Sequence, residues 1–227
     1  MNVVLFGASG MVGQGVMLEC LDAADVKRVV SVVRRPTGVT HPKLTEIVHA
    51  DFFDYTAIEP SLRDADACFF CLGVSSVGMK EEDYRHTTYD LTMAAANTLH
   101  RLNPNLAFIY VSGAGTDSTE AGRSMWARVK GKTENDLIKM FARAYMFRPG
   151  YIHPERGVRS RTGWIRVAVA VLKPVGAVLK RFPGVGTGTD VVGRAMIAAV
   201  RSGAPSHAVE IREINTLGAA DTATAAR

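Results

Sequence analysis

Only three cysteines occur in 227 residues, an odd number that argues against a disulfide framework and for a reducing compartment. No secretory apolar region opens the chain; Asn2-Val3-Val4-Leu5-Phe6 reads instead as a buried strand. These two absences predict a cytoplasmic protein. The six histidines are scattered without metal-ligand spacing, so no metal site is expected. Acids are missing from one stretch in particular: residues 156–181 hold seven Arg and Lys and no Asp or Glu. The whole chain carries a net charge of only +5, which leaves the remainder at −2. The basic character is therefore local, and no nucleic-acid partner is implied.

Short apolar runs alternate regularly with longer helical patterns. Strands are predicted over 2–6, 28–33, 45–48, 67–72, 106–111 and 144–148, and helices near 11–23, 55–63, 82–102 and 120–142. The strands are rich in Val, Ile and Phe without strict alternation, the pattern of a parallel sheet buried on both faces. Strand–helix–strand alternation then predicts an α/β fold, a doubly wound parallel sheet with helices on both faces. A helix over 190–201 and a last strand over 209–211 follow, and Gly203 suits the helix C-terminus. One domain is expected over 1–217, with 151–187 as a cover on the substrate side. The Ala/Thr-rich stretch 218–227 reads as a disordered tail.

Cys68 and Cys71 form a C-x-x-C, but within a strand, positions three apart face opposite ways. They are read as two small core residues rather than a metal or redox pair.

Gly7-Ala8-Ser9-Gly10-Met11-Val12-Gly13 directly follows the first strand and opens a helix. Glycines at this place permit the tight turn, let backbone N–H groups approach a pyrophosphate, and let helix and strand pack closely. The helix N-terminus adds partial positive charge for the phosphates. The loop predicts a bound nicotinamide dinucleotide.

The G-x-x-G-x-x-G spacing resembles the extended and atypical short-chain dehydrogenase/reductases. Further matches follow in chain order: Arg34-Arg35, His49-Ala50-Asp51, Cys71-Leu72-Gly73, Tyr110-Val111-Ser112, Val129-Lys130-Gly131 and Phe147-Arg148-Pro149-Gly150. Together they resemble the NmrA-like or Tat-interacting-protein-like branch of the NAD(P)-binding Rossmann family, well over 1–150 and loosely over 151–215. The resemblance implies that Asp51 accepts a bond from the adenine amino group; capping its own turn is the competing role. It also implies that Leu72 and Gly73 let the chain pass close to the adenosine.

An NAD-preferring site places an acid at the end of the second strand to bond the ribose 2′-hydroxyl. Here Arg34 and Arg35 stand there instead. A guanidinium is always charged and bonds two phosphate oxygens at once, so NADP(H) is the cofactor expected. Two solvated arginines at a strand end are the alternative.

Reductases of this family carry a serine at the end of the fifth strand, and a tyrosine and a lysine four apart on the next helix. By resemblance Ser112 orients the carbonyl, while Lys130 holds the nicotinamide ribose. The tyrosine position reads Trp126, whose indole N–H donates a hydrogen bond but does not titrate. Tyr110 lies in the strand and Tyr151 follows the Pro-Gly turn; only Tyr151 is placed to approach the nicotinamide. The G-K-T at Gly131-Lys132-Thr133 is not a triphosphate loop, because Trp126 occupies its first glycine position and the segment reads as helix.

Arg159, Arg166, Lys173 and Lys180 recur every seventh residue, which on a helix drifts by only about 20° per step. The apolar stretch around them is too short and too charged to cross a bilayer, and Pro174 divides it. A solvated cover over the substrate cleft, a dimer contact and a membrane-surface site are the three readings.

Functionally, the sequence predicts an NADP-dependent oxidoreductase acting on a small carbonyl or sugar-like substrate. A non-catalytic redox sensor that reports the NADPH/NADP⁺ ratio to a protein partner is the alternative, and a peripheral membrane protein the third.

Overall fold

The sheet is explained by the side chains of its first strand. In β1 (Asn2–Phe6), Val3 and Leu5 enter one apolar cluster while Val4 and Phe6 enter another. Both faces of the strand are covered, which is why an unbroken apolar run serves here. The computed structural model describes residues 1–158 and 184–225. Seven parallel strands stand in the order β3-β2-β1-β4-β5-β6-β9, with β2 (Arg28–Val33), β3 (Leu44–Val48), β4 (Ala67–Phe70), β5 (Ala107–Val111), β6 (Ala144–Arg148) and β9 (Ala208–Glu210). This is the doubly wound α/β fold expected from the alternation. A separate parallel pair joins β7 (Tyr151–His153) to β8 (Gly186–Gly188).

One face of the sheet packs on α1 (Met11–Asp22), α6 (Thr189–Ser202) and α7 (Ile211–Ala225), the other on α4 (Leu91–Leu102) and α5 (Met125–Met140). Helices α1 and α6 interlock through two glycines. A Cβ on Gly15 would lie 2.5 Å from the Thr189 Cβ, and one on Gly193 would lie 2.7 Å from the Glu19 Cγ. Cys68 and Cys71 fall in opposite clusters, as their strand spacing requires.

Element boundaries depart from expectation where side chains bond the local backbone. The expected helix over 55–63 is a 3-10 turn, Thr56–Ile58, leading into the short α2 (Glu59–Leu62). The expected helix over 82–102 is divided into α3 (Glu81–Arg85), a π turn (His86–Asp90) and α4. Thr92 Oγ1 donates to the Thr88 carbonyl at 2.5 Å and Thr87 Oγ1 to that of Asp83 at 2.9 Å, the kind of back-bonding that perturbs a helix ladder. The helix expected from 120 starts at Met125, because the Asp117 carboxylate accepts the Thr119 and Gly122 N–H groups at 3.0 and 2.6 Å and winds the chain into a loop. Helix α7 extends to Ala225, into the stretch read as a disordered tail, since it docks Ile214 and Leu217 on the core before the composition turns to Ala and Thr. Of the cover predicted over 151–187, residues 159–183 lie outside the described residues, and the basic stripe with them. Arg156, at the edge of that stretch, pairs with Glu19 at 2.9 Å and Asp22 at 2.7 Å.

Candidate functional site

The strand order reverses between β1 and β4, and an open parallel sheet takes its ligands outside the carboxyl ends of the strands at that point. A cleft of about 990 Å³ lies there. It gathers Gly7, Ser9, Gly10, Met11 and Val12 from the glycine loop, Arg34 and Arg35 from the end of β2, Leu72 and Gly73 after β4, and Ser112 and Lys130. From the end of β2 to the end of β5 is three strand spacings, about 14 Å, so the cleft is an elongated one.

Each glycine of the loop answers to a contact. Gly7 has φ +88°, and a Cβ there would lie 2.7 Å from the Cys71 carbonyl carbon. At Gly13 a Cβ would come within 2.2 Å of the Gly7 carbonyl oxygen. Gly13 is buried beneath the loop and does not line the cleft; it sets how closely α1 approaches. The N-terminus of α1 has Gly10 as its cap, with no side-chain hydrogen bond and no acid in its first turn. Its unbonded N–H groups therefore remain for an anionic ligand, and the cradle fits a pyrophosphate.

Arg34 and Arg35 are exposed and make no ion pair or side-chain hydrogen bond among the described residues. Their charges are uncompensated locally. Asp51 is also exposed but stands outside the cleft lining; its carboxylate accepts the Phe53 N–H at 2.9 Å, the turn-capping role.

At the other end, Lys130 of α5 is buried among carbonyls. Its Nζ donates to the Ser112 carbonyl at 2.7 Å and the Val111 carbonyl at 3.4 Å, and lies 5.5 Å from the centre of the Tyr110 ring. Burial pulls its pKa down to about 8, with Glu134 one turn along opposing the shift. Ser112 Oγ gives its hydrogen to the Phe147 carbonyl at 3.1 Å, so toward the cleft it is an acceptor. Trp126 does not line the cleft; its ring packs on the turn at Gly115, where a Cβ would lie 3.7 Å from Cη2. Tyr110 is in the core, its phenol raised far above the usual range by burial. Tyr151, the alternative tyrosine, is not a lining residue, and its hydroxyl is buried without a partner. No tyrosine lines this cleft among the described residues.

Sequence reasoning missed Val74, Ser75, Gly113, Pro149, Gly150 and Ile152 as lining residues. Their signal is positional, since all but Ile152, which lies in β7, follow the carboxyl end of a strand. Gly131, from the rejected G-K-T, is accounted for by packing: a Cβ there would lie 1.8 Å from the Asp117 carbonyl oxygen. Among the described residues no cluster of His, Cys, Asp and Glu is arranged to hold a metal. No helix of the described residues is long and apolar enough to cross a membrane.

A family model described as NAD(P)H-binding matches residues 7–156. Among curated proteins, "Protein fmp52, mitochondrial" of Aspergillus fumigatus is 27% identical over 207 residues, 87% of this chain and 86% of that one. The protein of the same name from Eremothecium gossypii is 27% identical over 178 residues, 77% of each. Two solved structures share the fold. The Bordetella bronchiseptica enzyme WbmF in complex with NAD⁺ superposes with a TM-score of 0.66 at 17% identity, covering 98% of this chain and 77% of that one. The UDP-glucose 4-epimerase of Thermotoga maritima gives 0.61 at 14% identity, covering 88% and 73%. The cytoplasmic expectation is overturned, because the curated relatives are named as mitochondrial proteins.

Proposed function

Because the chain belongs to the family of NAD(P)H-binding domains, we propose that it is an NADP(H)-dependent oxidoreductase acting on a small carbonyl or sugar-like substrate. The observation that carries the cofactor choice is the pair Arg34 and Arg35, exposed, without partners among the described residues and lining the cleft at the end of β2. A 2′-phosphate answers two uncompensated guanidinium groups; a 2′-hydroxyl does not. The N-terminus of α1 and the Gly7–Val12 backbone hold the pyrophosphate, Leu72 and Gly73 border the adenosine, and Lys130 with Ser112 marks the reacting end. When bound, the reduced dinucleotide supplies a hydride. The names of the relatives, which are mitochondrial proteins, support a mitochondrial location for this chain.

Calorimetric titration tests the reading. NADPH binds at least tenfold more tightly than NADH, since each charge-assisted bond contributes about 1.5–3 kcal/mol. The Arg34→Ala, Arg35→Ala double variant loses that preference. Equal affinities in the parent protein would exclude NADP(H) as the preferred cofactor.

Trp126 at the family's tyrosine position, turned onto Gly115, favours a second reading, a dinucleotide-binding sensor without turnover. Oxidation of bound NADPH across a panel of carbonyl compounds separates the two.

A further inference from the structure

We propose that Lys130 is itself the proton donor of this cleft, in the role that a tyrosine four residues earlier would otherwise fill. The inference rests on the oxidoreductase reading above and adds the identity of its acid.

The end of the cleft around Ser112 and Lys130 is poor in groups that release a proton. Ser112 has committed its hydrogen to the Phe147 carbonyl. Gly113, Pro149, Gly150 and Ile152 have no titrating side chain, and burial pushes the thiol of Cys71, which also lines the cleft, up to about 12. Trp126 is turned onto Gly115, and the two nearby tyrosines, Tyr110 and Tyr151, do not line the cleft. Among the described residues Lys130 remains, and its ammonium is held by hydrogen bonds. Two of its three N–H bonds are engaged by the carbonyls of Val111 and Ser112, successive residues at the end of β5. The third is left for a ligand oxygen.

The groups facing Lys130 suit the task. From β5 come the Tyr110 ring and two neutral carbonyls. From α5 comes Glu134, whose carboxylate is bonded by Arg148 of β6. No carboxylate is therefore free to lock the ammonium in its charged form, and burial brings it to about 8, close to working pH. An acid whose pKa lies near the operating pH is both protonated and willing to give its proton up. Tyrosine reaches that state only with help; a buried lysine reaches it alone.

The step balances as follows. The carbonyl carbon of the substrate receives a hydride from the reduced nicotinamide, and the π pair of the C=O moves to oxygen. That oxygen takes a proton from Lys130 Nζ, leaving an alcohol, the oxidised dinucleotide and a neutral amine. Solvent then reprotonates the amine.

Lysine Cε NMR of the ligand-free protein, with the Lys130 signal assigned by its absence in Lys130→Arg, reads the titration without any turnover. The expected midpoint lies near 8, against more than 10 for surface lysines; a midpoint above 10 would overturn the proposal. Single-turnover NADPH oxidation with a carbonyl panel then falls about tenfold per pH unit above the midpoint. Lys130→Arg keeps the positive charge but not the dissociable proton, so it binds NADPH within a few-fold of the parent and loses 10²–10⁴-fold in rate, the range general acids supply. Full activity in Lys130→Arg would overturn the assignment while leaving the oxidoreductase reading intact. Tight NADPH binding with no turnover at any pH would overturn both, and absence of NADPH binding would overturn the cofactor reading first.

Discussion

Glu134 and Arg148 form a forked ion pair inside the protein, joining α5 to β6. The guanidinium Nε bonds both carboxylate oxygens at 3.1 and 3.2 Å, and a second nitrogen bonds one of them again. The Glu134 side chain is 1% exposed and that of Arg148 13%. Arg148 also reaches Glu210 of β9 at 3.2 Å and the Ser118 hydroxyl at 2.5 Å. It thus ties the last strand and the loop before α5 to the pair.

Removing the cation strands a carboxylate that has no water to turn to. Arg148→Ala is expected to destabilise the fold by about 3–5 kcal/mol, the cost typical of an orphaned buried charge. Glu134→Gln combined with Arg148→Met recovers most of that loss, because neither buried charge remains. Urea denaturation of the three proteins checks this; additive losses in the double variant would contradict it.

Lys130 makes stability depend on pH in a direction opposite to that of a surface lysine. Its pKa is about 8 in the fold against 10.5 for a free lysine side chain, so between these values the unfolded chain binds more protons and stability rises with pH. Below pH 8 the fold carries the whole cost of burying the ammonium, roughly 3 kcal/mol at most. Lys130→Met is accordingly more stable than the parent at pH 7, by at most about 2 kcal/mol once the two lost carbonyl bonds are subtracted. The gap closes between pH 8 and 10.5. Thermal melts across that range should show it, and a gap that widens with pH would reverse the assignment.

Two glycine substitutions in the site should behave differently. Gly13→Ala puts a methyl 2.2 Å from the Gly7 carbonyl oxygen, while Gly73→Ala meets nothing within 4 Å. The first is expected to cost about 1–3 kcal/mol through overpacking and to displace the loop, weakening NADPH and NADH binding alike. The second should leave the melting temperature within about 2 °C of the parent, a difference of under 0.5 kcal/mol. Equal melting temperatures for the two variants would mean that α1 yields without cost.

The proposed preference for NADPH over NADH should itself depend on salt. Arg34 and Arg35 are exposed, and the screening length shrinks from about 10 Å at 0.1 M to about 3 Å at 1 M. Calorimetry at these two ionic strengths is expected to show the affinity ratio falling several-fold, with the NADH constant changing less. An unchanged ratio would place the discrimination elsewhere than in these two side chains.

The sheet and the loop could be read from the chain because both write themselves in local pattern. Val3 and Leu5 alternate with Val4 and Phe6 across a doubly covered sheet, and Gly7, Gly10 and Gly13 follow directly. The break at His86–Asp90 could not, since hydroxyls of Thr87 and Thr92 compete with a backbone that any periodicity count treats as uniform. The start of α5 was hidden by Asp117, a single carboxylate that organises five residues after it. For the site, Arg34 and Arg35 were visible as an absence of acid. The burial of Lys130 was not, because it comes from the Tyr110 ring and the Val111 and Ser112 carbonyls at the end of β5, which helix periodicity does not reveal. Asp51 shows that two readings of one residue can stand together: its Oδ1 accepts the Phe53 N–H, and the carboxylate keeps acceptor capacity beyond that bond.

The interlock of α1 with α6 has a consequence for how this chain can vary among its descendants. Gly15 and Gly193 lie far apart in sequence, yet each removes the obstacle to the other's helix at one crossing. A side chain gained at either position must be absorbed by moving α1, and α1 carries the loop that borders the cleft. A single substitution there is therefore filtered twice, once for folding and once for ligand geometry. Lineages should cross that barrier only when a compensating loss of bulk at Thr189 or Glu19 arrives first. The far side of the crossing thus constrains the cleft's evolutionary drift without touching a ligand.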